Sequence, residues 1–165
     1  MTTRGPKLLV SACLLGRPVR YNGSAKPLDE QCLMRWIAEG RVVSVCPELL
    51  AGLPTPRPPA EIAGVKGGAA VLSGEATVID ADGQDVTAIY VRGAQAALAL
   101  ASQQGCQYAL LTDGSPSCGV SFIYDGSFTG RRHRADGAAA ALLRQNGIQV
   151  FSPEDMRDLA ALMDL

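Results

Sequence analysis

The feature that most restricts this chain is a series of short apolar segments, each ending in a turn-rich loop and separated from the next by a helical stretch. The segments are 7–12 (KLLVSA), 41–45 (RVVSV), 107–111 (QYALL) and 148–151, and the first three are almost wholly apolar. Such runs suit strands covered on both faces, not strands with one wet face. Residues 28–39 place Leu28, Cys32, Leu33, Trp36 and Ile37 at helical spacing, with Gly40 as a stop. Residues 85–104 form an alanine-rich helix with Ile89, Ala94, Ala97, Leu98 and Ala101 on its apolar positions, stopped by Gly105. A further helix over 137–145 ends at Asn146-Gly147. The last one begins at Ser152 as cap, with Pro153 at its first position and Glu154 and Asp155 near the positive end of the dipole.

Alternating strands and helices of this kind give an α/β fold: an open, mostly parallel sheet with helices on both faces, Rossmann-like. Residues 65–80 are expected to add a small hairpin insertion, with Val71-Leu72 and 76–79 as arms broken by Gly74, and Asp82-Gly83 as a turn. There is no internal repeat or linker. At 165 residues, 47% of them apolar, the chain is expected to be one domain over 1–165, burying roughly 70% of its unfolded surface.

Fifteen basic and sixteen acidic residues leave a net charge of −1, which argues against a general nucleic-acid surface. The local exception, Arg131-Arg132-His133-Arg134, reads as an exposed solvated loop, with His133 not a ligand. No apolar run reaches the roughly 20 residues of a membrane span. Val10-Ser11-Ala12-Cys13, after Arg4 and Lys7, imitates a lipoprotein cleavage box, but only Leu8-Leu9-Val10 precedes it, against the roughly 7–15 apolar residues of a signal peptide. Five cysteines, an odd number without tight disulfide-like spacing, suit a reducing cytoplasm.

The cysteines carry the functional argument. Ligands of open α/β sheets collect beyond the carboxyl ends of the strands. Cys13 and Cys46 each end an apolar segment, and Cys118 lies in the loop after another. A parallel sheet would therefore bring three thiols, distant in sequence, to one edge. Structural zinc usually takes four ligands, often in close pairs that are absent here, whereas catalytic zinc keeps three and an open position. Iron–sulfur clusters normally take four cysteines, so a three-cysteine cluster would leave one iron open. A persulfide-bearing nucleophile is a further option. So is plain burial, since free cysteine is commonly a core residue. Cys32, on an apolar helix face, and Cys106, at a helix-to-strand junction, read as packing residues.

Around these cysteines the chain resembles a known family. The segments SACLLGRPVRYNG (11–23), CPELLAGLPTPRPPAEI (46–62), SPSCG (115–119) and IYDGSFTG (123–130) are similar to those of a bacterial protein family that includes 2-thiouracil desulfurases. Weaker similarity at GQDVT (83–87) and GIQVFS (147–152) extends this over nearly the whole chain. The resemblance implies a 4Fe–4S cluster held by Cys13, Cys46 and Cys118. It also implies a hydrolytic, non-redox removal of sulfur from a small thio-compound, with the sulfur taken by the open iron and a carbonyl left behind. Glu48 and Ser115 match the family's active glutamate and serine. One departure is visible: a lysine and often an arginine precede SPSCG in the family, where this chain has Thr112-Asp113-Gly114. That change bears on substrate identity more than on cluster binding.

On chemical grounds a soft thiocarbonyl sulfur suits iron, not magnesium or calcium, and water attacking its carbon needs a general base. Glu48, two residues after Cys46, is the candidate; a helix start or solvated loop is its plain alternative. Ser115 or Ser117 could position water, or merely stabilise the turn at Pro116. Gly16, Gly23, Gly52 and Gly119 fit turns around a cluster. Arg20, Tyr21 and Asn22 are pocket or exposed loop residues, Arg57 a partner for Glu48 or Glu61, and Tyr124 and Asp125 pocket or turn residues. A zinc- or persulfide-dependent sulfur-transfer enzyme and a cluster-based sensor are the competing readings. The oligomeric state is not legible.

Overall fold

The computed structural model describes residues 5–25 and 30–165. Arg4, Lys26 and Leu28, which the sequence assigned to a leader-like start, a loop end and a helix start, lie outside the described residues. In chain order the strands are β1 (Lys7–Ser11), β2 (Val42–Val45), β3 (Ala60–Ile62), β4 (Val78–Asp80), β5 (Cys106–Leu110), β6 (Ile123–Tyr124), β7 (Arg132–His133) and β8 (Gln149–Phe151). The helices are α1 (Gln31–Ala38), α2 (Pro47–Leu50), α3 (Gly68–Ser73), α4 (Thr87–Gln104), α5 (Ala138–Gln145) and α6 (Met156–Met163).

The four apolar segments form one sheet in the order β2-β1-β5-β8, and all three pairings are parallel. Alternation along β1 divides the core in two. Leu8 and Val10 pack with Leu33 and Trp36 of α1 and Leu159 and Met163 of α6 on one face. Leu9 points the other way, toward Ala94 and Ala97 of α4 and Ala140 and Leu143 of α5. The expected α/β sheet with helices on both faces is what the chain forms. Trp36 is fully buried, and its indole Nε1 donates to Asp164 Oδ1 at 3.0 Å, tying α1 to the C-terminal residues. Burying a large apolar side chain of this kind contributes roughly 1.5–3 kcal/mol. Ser152 caps the last helical segment as expected, in a reciprocal box with Asp155. Its first turn, Pro153–Asp155, is 3-10 in form. No helix among the described residues is long and apolar enough to cross a membrane.

The small antiparallel insertion is present with different arms. β4 pairs with β3, and Val71-Leu72 belong to helix α3 between them. The reason is a backbone approach that periodicity does not reveal. A Cβ on Gly68 would sit 2.1 Å from the Gly137 carbonyl oxygen, so Gly68 lets α3 dock against the start of α5. Val71 is then buried in that contact. The short helix α2 and the β6–β7 ribbon (Ile123 opposite His133) are further elements that the sequence pattern did not separate from loops.

The chain passes from β1 to β2 on one side and then crosses to β5 on the other side of β1. The connections leaving β1 and β5 therefore diverge, opening a crevice at the carboxyl ends of the strands.

Candidate active site

That crevice is a cavity of about 480 Å³, and Cys13, Cys46, Cys118, Glu48 and Ser115 all line it. Each is delivered by a different device. β1 runs through Ser11 into a 3-10 turn, Ala12–Leu15, that presents Cys13 and closes at Gly16 in the left-handed region (φ 91°). Cys46 follows the end of β2 directly, and Pro47 starts α2 immediately after it. Cys118 sits in the loop beyond β5. Its carbonyls at Pro116 and Ser117 accept the first N–H groups of α5, from Ala138 (2.7 Å) and Ala139 (2.9 Å). A Cβ on Gly137 would lie 2.5 Å from the Ser117 carbonyl oxygen, so this docking requires glycine there.

Cys13 and Cys118 are buried and Cys46 is half-buried. Burial, and then the Glu48 carboxylate, push the Cys46 thiol up to about 11. Burial likewise drives Cys118 well above its ordinary value, reinforced by Glu48 and opposed by a hydrogen bond from Ser11, with Cys13 and Cys46 as neighbouring charges. Groups held protonated in this way become good metal ligands once an ion replaces their protons. Among the described residues no three His, Cys, Asp or Glu side chains are grouped so as to hold one metal ion. A multinuclear cluster offers each thiolate its own iron, so three soft donors spread around one cavity fit a cluster better than a single zinc.

Glu48 stands at the centre of the polar wall. Its Oε2 accepts from Arg57 Nη2 at 3.0 Å and faces the Cys46 thiol at 3.7 Å, while Oε1 lies 3.3 Å from Ser115 Oγ. Arg57 is itself fixed: Nη2 also donates to the Val19 carbonyl, and Nη1 to the Pro54 carbonyl and Thr55 Oγ1, each at 3.2 Å. Of the two partners open to Arg57 in the sequence, Glu48 is the one it binds. Ser115 Oγ accepts the backbone N–H groups of Ser117 (3.0 Å) and Cys118 (3.1 Å). With both acceptor positions used, its hydroxyl proton is directed at Glu48. Ser117 is not part of the cavity wall; it is fully buried and its hydroxyl has no hydrogen-bond partner.

Other candidates divide. Arg20, Tyr21 and Tyr124 line the cavity, whereas Asn22 closes a turn by accepting from Ser24, and Asp125 does the same for Ser127. Cys32 and Cys106 pack in the two core layers, away from the cavity. His133 is not exposed as expected: pairing with Ile123 on the ribbon half-buries it and leaves Nε2 without a hydrogen bond. Within the basic run, Arg132 lines the cavity mouth. Asp113, in the segment that departs from the family pattern, accepts the N–H groups of Val120 (3.2 Å) and Ser121 (2.7 Å) and so braces the Cys118 loop.

Sequence reasoning missed Tyr90. It is buried in the cavity wall, and burial raises its phenol, with the Glu48 charge adding to the rise and Arg57 opposing it. The signal lay one turn further along α4: a Cβ on Gly93 would meet the Pro47 carbonyl oxygen at 2.7 Å. That glycine lets α4 close on α2 and carries Tyr90 in beside Glu48. Phe122 and Phe128 also line the cavity unanticipated.

A family model described as 2-thiouracil desulfurase matches residues 8–155. The chain is 43% identical over 152 residues to the uncharacterized protein YbbK of Bacillus subtilis (strain 168), covering 92% of this chain and 99% of the relative. Among solved structures it is similar to a [4Fe-4S]-dependent thiouracil desulfidase, TudS, with 46% identity and a TM-score of 0.87, covering 96% of this chain and 98% of the other.

Proposed function

This chain belongs to the 2-thiouracil desulfurase family, and from that premise we propose that it removes sulfur from a small thiopyrimidine such as 2-thiouracil by hydrolysis, using a [4Fe–4S] cluster on Cys13, Cys46 and Cys118. The observation that carries the reading is the meeting of these three cysteines with Glu48 and Ser115 around one cavity. When bound, the cluster would supply a soft Lewis-acidic iron with affinity for thiocarbonyl sulfur, polarising the C=S bond.

The chain's own residues supply the proton chemistry. Glu48 takes a proton from the attacking water through Oε1, the oxygen not engaged by Arg57. Arg57 holds the carboxylate in one orientation, so no conformational search precedes the transfer. Ser115, its proton aimed at Oε1, fixes the direction in which that carboxylate oxygen faces the cavity. It is not a nucleophile, because its lone pairs are committed to backbone N–H groups. Water adds to the carbon, the C–S bond breaks, and oxo product and sulfide leave with no net electron transfer.

Anaerobic reconstitution with iron and sulfide, followed by incubation with 2-thiouracil, tests this. The expected result is a brown protein that releases sulfide and forms uracil. A colourless active protein without acid-labile sulfide would instead favour zinc or persulfide chemistry. A brown protein that releases no sulfide from any thiopyrimidine would leave a sensor.

A further inference from the structure

Resting on the desulfurase reading, we propose that Phe122, Tyr124 and Phe128 form an aromatic shelf that selects planar ring thiones over acyclic thioamides. All three line the cavity, yet none takes part in the proton chemistry at Glu48.

The shelf is preorganised. Phe122 and Tyr124 meet edge to face, with ring centroids 6.1 Å apart and planes at 83°. The guanidinium of Arg132 lies 4.1 Å from the Phe122 centroid. An edge contact and a cation over one face together hold the ring in a single orientation. Gly114 lies beside these rings, where a Cβ would be in ordinary van der Waals contact with Tyr124 at 3.4 Å and Phe122 at 3.6 Å. In this chain the departure Thr112-Asp113-Gly114 thus sets a left-handed glycine (φ 88°) against the edges of these rings.

Phe128 supplies an independent sign. It is 40% exposed and adopts a left-handed backbone (φ 57°), which is uncommon for an aromatic residue. Its N–H, and that of Gly126, are held by Glu61 Oε1 at 3.2 and 2.9 Å. A large apolar side chain kept exposed at a cavity mouth by an anchored, sterically unfavourable backbone is the kind of strain that collects at ligand sites. Flat conjugated rings recover stacking energy on such a surface, and acyclic thioureas of the same C=S chemistry recover little.

The test uses the reconstituted holoenzyme and compares kcat/KM for 2-thiouracil with that for N-methylthiourea. Phe122→Leu should lower the thiouracil-to-thiourea ratio about five- to tenfold, the size of one aromatic contact. The loss should fall mainly on KM for thiouracil and exceed any loss on thiourea, with iron content unchanged; Phe122→Tyr should restore the ratio. Phe128→Ala, at an exposed position, gives the same reading if the Phe122 variant folds poorly. An unchanged ratio, or equal losses on both substrates, overturns the shelf while leaving the desulfurase reading intact. A wild-type holoenzyme inactive on both compounds overturns both.

Discussion

Arg57 Nη2 lies 3.0 Å from Glu48 Oε2, and the two side chains are only 5% and 10% exposed. A buried pair of this kind adds little net stability over an apolar substitute, but removing one member strands the other charge. Arg57→Ala is therefore expected to cost about 3–5 kcal/mol in urea unfolding of the metal-free protein. Arg57→Lys should recover part of this, since a lysine cannot bind Glu48, Val19 and Pro54 together.

Glu48→Ala should leave the three cysteines in place and remove the base. Turnover is expected to fall about 10²–10⁴-fold, with iron and acid-labile sulfide per chain unchanged in the same preparations. Full activity in that variant would sink the assignment.

Ser115→Ala separates from Glu48→Ala because Ser115 also holds the Cys118 loop. Two backbone N–H groups lose their acceptor, an expected cost of about 1–3 kcal/mol. Cluster content and kcat should fall together, which parallel iron analysis and kinetics would show.

Gly93→Ala probes the α2–α4 contact without removing a polar side chain. The added Cβ, 2.7 Å from the Pro47 carbonyl oxygen, must push the helices apart, at an expected cost of about 1–3 kcal/mol. Thermal denaturation should show the loss. The kinetic signature should be a lower kcat, as Tyr90 and Glu48 are displaced together.

The buried thiols give the metal-free protein an alkaline weakness. Above the ordinary thiol value of 9.0 the unfolded chain releases the Cys46 proton, whereas the folded chain keeps it until about 11. The unfolded state then binds fewer protons than the folded one, so stability falls as pH rises across that window and is fully present below it. Cys46→Ser should make the fall of stability with pH between 9 and 11 less steep, with Cys118 and Cys106, whose thiols are also raised, supplying the remainder. Cluster loading should respond in the opposite direction and improve with pH, because binding displaces those protons.

The sheet was legible because its strands are short, apolar and separated by periodic helices, and the strand-end position of Cys13 and Cys46 followed from that. Glu48 and Ser115 came from motif resemblance; their contact through 3.3 Å depends on how the β5 loop folds back, which spacing alone does not encode. What escaped was decided by close backbone approaches. Gly68 against Gly137 made a helix where the pattern suggested a strand. Gly93 against Pro47 brought Tyr90 into the cavity from an alanine-rich helix whose apolar positions looked like plain packing. The ribbon carrying Phe122 and Arg132 was hidden for another reason. Two-residue strands have no periodicity to read.

Because β1 sits between β2 and β5, two of the three sulfur-bearing loops come from the first third of the chain, at Cys13 and Cys46, and the other from the last third, at Cys118. No contiguous fragment carries the centre, so it cannot be grafted elsewhere as a peptide. Each of its walls can nonetheless lengthen or shorten alone, which gives evolution, or a designer, separate control over the shape of the entrance without disturbing the sulfur donors beneath.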